Sequence, residues 1–133
     1  MARTLAIVFG VVFVLVALLG FMNSGIAGET GLFMTNTLHD LVHLLFGVIL
    51  LVVAFTAPAR SATWLTILGV VYLVLAVLGF LLVGDSGELL GLVLMNQADH
   101  WLHVVLGVVL ILAGRAGNGR TTSTSMPMSG PSM

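Results

Sequence analysis

Two segments of this chain are near copies of one another, and both are too apolar to face water. Phe9-Gly-Val-Val-Phe-Val-Leu-Val-Ala-Leu-Leu-Gly-Phe21 aligns with Leu68-Gly-Val-Val-Tyr-Leu-Val-Leu-Ala-Val-Leu-Gly-Phe80, with the glycines, the alanine and the closing Gly-Phe in register. Past the following loop, Gly28-Glu29 matches Gly87-Glu88, and with one extra residue Asn36 to Gly47 matches Asn96 to Gly107. The pattern predicts an internal duplication in which each copy carries two apolar spans. Two such copies enter a bilayer in the same orientation, related by a pseudo-twofold axis along the membrane normal.

The spans are Leu5 to Met22, Trp64 to Val83 and Asn96 to Ala113, each about long enough for a helix across roughly 30 Å of hydrocarbon. A fourth, Asn36 to Phe55, reaches that length only with its polar opening included. Four segments are too few for a closed barrel, and lipid tolerates no unpaired backbone, so every span is expected to be helical. The fold class is an all-α membrane protein of four transmembrane helices, built as two tandem hairpin repeats. Composition agrees: 59% of residues are hydrophobic and 7% charged, against about a quarter charged in soluble domains. The expected organisation is a four-helix transmembrane domain over 1–114, with repeat one at 5–56 and repeat two at 64–114. A Ser-, Thr-, Gly- and Pro-rich tail over 115–133 is expected to be disordered and cytoplasmic. Met126, Met128 and Met133 in that tail are too loosely spaced for a soft-metal site. Arg3, an apolar core and the small residues from Ser24 to Gly28 imitate a signal peptide, but the same segment recurs inside the chain.

All four cations, Arg3, Arg60, Arg115 and Arg120, fall before the first span, between the second and third, or after the fourth. The other two loops carry Glu29, Asp85 and Glu88. The positive-inside rule therefore predicts cytoplasmic termini and external acidic loops. Without Lys and with a net charge of −1, the chain has no nucleic-acid footprint. Without Cys it has no disulfide, thiolate metal site or cysteine nucleophile. Gly10, Ala17 and Gly20, like Gly69, Ala76 and Gly79, share one helical face, where small residues let backbones approach closely in lipid.

The chemistry is concentrated in a doubled polar cluster. The first copy reads Asn36-Thr-Leu-His39-Asp40-Leu-Val-His43-Leu-Leu-Phe-Gly47, and the second Asn96-Gln-Ala-Asp99-His100-Trp-Leu-His103-Val-Val-Leu-Gly107. At about 100° per residue, positions 36, 40, 43 and 47 form a stripe flanked by 39, and their counterparts do likewise. Asn36 and Asn96 read as helix N-caps. If helices two and four meet along these stripes, Asn36 faces Asn96, Asp40 pairs with His100, His43 faces His103 and Gly47 faces Gly107.

Three functions follow. Asn36, Asn96, Asp40 and His100 would form a structural polar network in a scaffold or companion subunit of a membrane complex. Alternatively, His39, His43, His100, His103, Asp40 and Asp99 supply ligands for a divalent metal, with Asp99 orienting His103 from one turn earlier. In the haem or pigment version, suited to electron transfer, His43 and His103 are the axial pair, and Gly47 and Gly107 leave room for a macrocycle. Proton or ion transport is the third reading, although the cytoplasmic halves of the helices hold no ionisable group. No catalytic residue is assigned, and an enzyme is not expected. The expected partners are the lipid bilayer and either other membrane subunits or a second copy of the chain.

The motifs Asn36-x-x-His39-Asp40-x-x-His43-x-x-x-Gly47 and Asn96-x-Ala98-Asp99-His100-x-x-His103-x-x-x-Gly107, on two hairpins, resemble a bacterial membrane family known as domain of unknown function 4383. The resemblance covers residues 3–114 and implies a fold and a bacterial inner (plasma) membrane, but no activity. In that family the residue after the first His, and after the second-copy Asp, is usually Asn; here these positions hold Asp40 and His100.

Overall fold

A computed structural model describes residues 1–118. Among these, four helices are long and apolar enough to cross a membrane. They are α1 (Ala2–Phe21), α2 (Thr37–Thr56), α3 (Ser61–Leu78) and α4 (Gln97–Asn118). Pro58 opens the short 3-10 turn Pro58–Arg60 that separates α2 from α3, since proline can start a helix but not continue one. Beyond α3 the chain widens into a π turn, Gly79–Val83. The fourth helix runs past Gly114 to Asn118; the remainder of the expected tail, with its three methionines and Arg120, lies outside the described residues.

The inward face of α1 is Ala6, Gly10, Phe13, Ala17 and Gly20, alternating four and three residues apart as in a left-handed helical seam. Leu65, Leu68, Gly69, Tyr72 and Ala76 make the corresponding face of α3. Within each hairpin the backbones touch at glycine. A Cβ on Gly47 would lie 2.8 Å from Gly10 O, and one on Gly107 would lie 2.9 Å from Gly69 O. Lipid supplies little hydrophobic drive for helix association, so such close packing carries it. The outward faces remain apolar, with Val8, Leu15, Leu45, Val74 and Leu112 exposed, as a bilayer requires.

α1 packs chiefly on α2, and α3 chiefly on α4. Across the bundle, α1 approaches α3, whereas α2 and α4 stand on the open diagonal. The expected seam between α2 and α4 is therefore absent: Gly47 meets Gly10 and Gly107 meets Gly69, not each other.

The loops at one end add backbone pairing not anticipated from the sequence. β1 (Ala27–Gly28) and β2 (Phe33–Met34) pair parallel, and β3 (Ser86–Leu89) and β4 (Val93–Asn96) form an antiparallel hairpin. Leu90 (φ 56) and Gly91 (φ 70) turn that hairpin in the left-handed region. The two loops cover the open diagonal between α2 and α4, with buried Leu89 and Met95 as the apolar underside.

Candidate metal centre

Each polar helix begins with an asparagine that serves both its own helix and the opposite loop. Asn36 Oδ1 accepts the His39 N–H at 3.0 Å, while its Nδ2 donates to Leu92 O at 2.9 Å. Asn96 repeats this with the Asp99 N–H at 3.1 Å and Leu32 O at 3.0 Å. The N-cap reading of both residues agrees with these bonds. Asp99 Oδ2 also accepts the Asn96 N–H at 3.0 Å, closing a reciprocal capping box. That bond corrects the expectation that Asp99 orients His103, because neither ring nitrogen of His103 has a hydrogen-bond partner.

His39 is fixed from above. Its Nδ1 lies 2.6 Å from Leu94 O, and a carbonyl can only accept, so Nδ1 carries the proton and Nε2 keeps its lone pair. One turn on, the His43 ring packs edge-on against His39, with centroids 4.8 Å apart. His103 reaches in from α4, 5.9 Å from the His39 ring and 6.3 Å from the His43 ring. All three are buried, and one potential ligand nitrogen from each lies within 4.8 Å of the others. They line a cavity of about 90 Å³ together with Tyr72, Phe46 and Met95. Both nitrogens of His43, both of His103 and the Tyr72 hydroxyl are buried with no hydrogen-bond partner. The Tyr72 ring sits 5.0 Å from His103 and 5.3 Å from Phe13.

The other residues expected at the site are elsewhere. Asp40 turns to α1, where its carboxylate occupies the space a Gly20 side chain would need. His100 turns to the π turn after α3, fills the same space at Gly79, and donates from Nε2 to Gly84 O at 2.9 Å. The expected Asp40–His100 pair is thus replaced by two separate contacts within the hairpins, and Asn36, Asn96, Asp40 and His100 do not form one network. Of the six expected metal ligands, His39, His43 and His103 come together, while His100, Asp40 and Asp99 do not join them.

A haem or comparable flat pigment does not fit between His43 and His103. The cavity of about 90 Å³ is far below the roughly 300–1,000 Å³ typical of small-molecule pockets. Gly47 and Gly107, expected to leave room for a macrocycle, are pressed against neighbouring backbone. Tyr72 lies outside the polar motifs that mark the three lining histidines. It is the only tyrosine in the chain and takes the place of Phe13 in the repeat alignment, a difference that could have marked it.

The three rings bring nitrogen-ligand chemistry to one place. Neutral imidazoles suit zinc, copper, iron and nickel, and bonds of about 2.0–2.1 Å to one ion would draw the three nitrogens in to about 3.3 Å from one another. No curated protein and no solved structure matches the chain. A family model described as domain of unknown function (DUF4383) matches residues 3–116, and the chain belongs to that family.

Proposed function

We propose that this multi-pass membrane protein is a small metal-binding subunit that holds one transition-metal ion at His39, His43 and His103. The observation that carries this reading is the set of four unpartnered ring nitrogens on His43 and His103, buried beside the lone pair of His39. Each buried polar group left unmatched costs about 1–3 kcal/mol, and a purely structural network would be expected to satisfy its own members. An ion meets one nitrogen of each ring, and the cavity leaves an open position beside Tyr72 for water or another ligand. Below the histidines the core is Phe13, Leu50, Leu65 and Leu110, which favours a binding centre over a conducting path. The apolar outer faces suit lipid and leave room for companion subunits or a second copy. The four Arg residues favour cytoplasmic termini, with the capped centre in the outer half of the bilayer.

Metal analysis of detergent-purified protein, with Co(II) substitution followed by absorption spectroscopy, tests the proposal. About one ion per chain is expected, with tetrahedral-type Co(II) bands lost in His43→Ala and His103→Ala and retained in His100→Ala. Protein that takes up none of zinc, copper or cobalt stoichiometrically would overturn it.

A further inference from the structure

A second recess lies away from the histidines, between the end of α1 and the start of α2. Its volume is about 190 Å³, and its lining includes the oxygen-bearing residues Glu29, Thr35, Thr37 and Asp40, with Asn23, whose Oδ1 accepts the Glu29 N–H at 2.9 Å. Thr35 and Asp40 are only 1% and 2% exposed. Thr35 Oγ1 and Asp40 Oδ1 meet no partner at full hydrogen-bond geometry, the Thr35 hydroxyl lies beside the Asp40 carboxylate, and no cationic side chain lines the recess among the described residues. A buried carboxylate is costly unless a cation or hydrogen-bond donors meet it. Gly20 yields its side-chain space to this carboxylate, because a Cβ there would collide with it.

The second hairpin lacks the same oxygen set. In the repeat alignment Asn23 becomes Leu82, Thr35 becomes Met95 and Asp40 becomes His100. His100 fills the space at Gly79 and is tied to Gly84 O. The side chain at this place is tied to a carbonyl in the second hairpin, whereas Asp40 Oδ1 is left unmatched in the first, and an unmatched oxygen there calls for a ligand.

We infer that this recess binds a hard divalent cation of the calcium type, with Asp40 and Thr35 as deep ligands and Glu29 at the rim. Two carboxylates balance its charge, and hydroxyls and waters complete the oxygen shell that calcium accepts in flexible geometry. At about 30 Å³ per water, the space holds an ion with several waters. Imidazole is not a calcium ligand of choice, so the recess is independent of the histidine centre.

Calorimetric titration of CaCl2 into the detergent-solubilised full chain, at constant NaCl, tests the inference. One site per chain is expected, with Kd on the order of 10⁻⁴–10⁻³ M as in extracellular calcium modules. Binding is expected to be lost in Asp40→Asn, weakened about tenfold in Glu29→Gln, and unchanged in His103→Ala. Absence of saturable binding up to about ten times that Kd range, or undiminished binding in Asp40→Asn, overturns the assignment. If Asp40→Asn does not fold, the exposed Glu29→Gln variant decides, and unchanged affinity there overturns it.

Discussion

His39 holds a loop with one ring nitrogen, and in the proposed centre the other would meet the ion, so the two roles can be separated by substitution. The amide nitrogen of Asn stands as many bonds from Cα as Nδ1, and that of Gln as many as Nε2. His39→Asn is therefore expected to keep the bond to Leu94 O while removing the ligand lone pair. Its unfolding midpoint in detergent should stay near wild type, and its zinc affinity in a chelator competition should fall at least tenfold. His39→Leu leaves the Leu94 carbonyl unmatched as well and should cost about 1–3 kcal/mol of stability. Equal metal affinity in wild type and His39→Asn would remove His39 from the site. Asn96 carries two ties of a different kind, to the Asp99 N–H and to Leu32 O. Asn96→Ala is expected to cost about 1 kcal/mol through the lost cap, with a further loss from the freed carbonyl, readable as a lower unfolding midpoint.

Helix pairs are set by glycine contacts that recur in both hairpins. A Cβ on Gly10 would stand 2.8 Å from Leu51 Cγ and 3.0 Å from Gly47 O, and one on Gly69 would stand 2.7 Å from Ile111 Cγ1 and 2.8 Å from Gly107 O. Gly10→Ala and Gly69→Ala should each destabilise by about 1–3 kcal/mol, the usual range for overpacking. The larger loss is expected at Gly69, where a β-branched neighbour has fewer rotamers to yield. Detergent unfolding of the two variants checks this, and a silent effect at one site would mean that the hairpins pack differently. The same contacts show what was legible in the sequence. Spans, small-residue faces, N-caps and the inward direction of both polar stripes followed from length and periodicity. The partner of each stripe did not, because a stripe spans two neighbours at once. Asp40 and Gly47, seven apart, turn to α1, while His39 and His43, four apart, turn to the bundle centre. Periodicity finds the buried face, but helix-crossing geometry divides it. The strands Ser86–Leu89 and Val93–Asn96 leave no clear sequence signal because they are short, with glycine at Gly87 and no clean apolar alternation.

At the scale of the whole molecule, charge and loop structure separate the two ends of the bundle. Arg3, Arg60 and Arg115 stand at the end where Ala2, Ala62 and Gly117 pack together, and Arg3 lies 5.8 Å over the Phe55 ring. Glu29, Asp85 and Glu88 stand at the other, where the paired loops cover the histidines. Translocating an Arg-rich loop is disfavoured, whereas acidic residues contribute little to orientation, so the arginine end is expected to stay in the cytoplasm. The labelling sites must avoid buried positions and strained backbone. Ser61 is fully buried, and Gly28 and Gly87 have φ of 146° and 157°, so a cysteine at any of them would confound the result. Gly25, whose added Cβ meets nothing within 4 Å, exposed Ser86 and exposed Ala59 are better probes. With no native cysteine to interfere, Gly25→Cys and Ser86→Cys should react with an impermeant maleimide on intact cells, and Ala59→Cys only after lysis. The reverse pattern would place the histidine centre and the Asp40 recess in the cytoplasmic half. Their ions would then have to come from the cytoplasm, where free calcium is too scarce to fill a site of millimolar affinity.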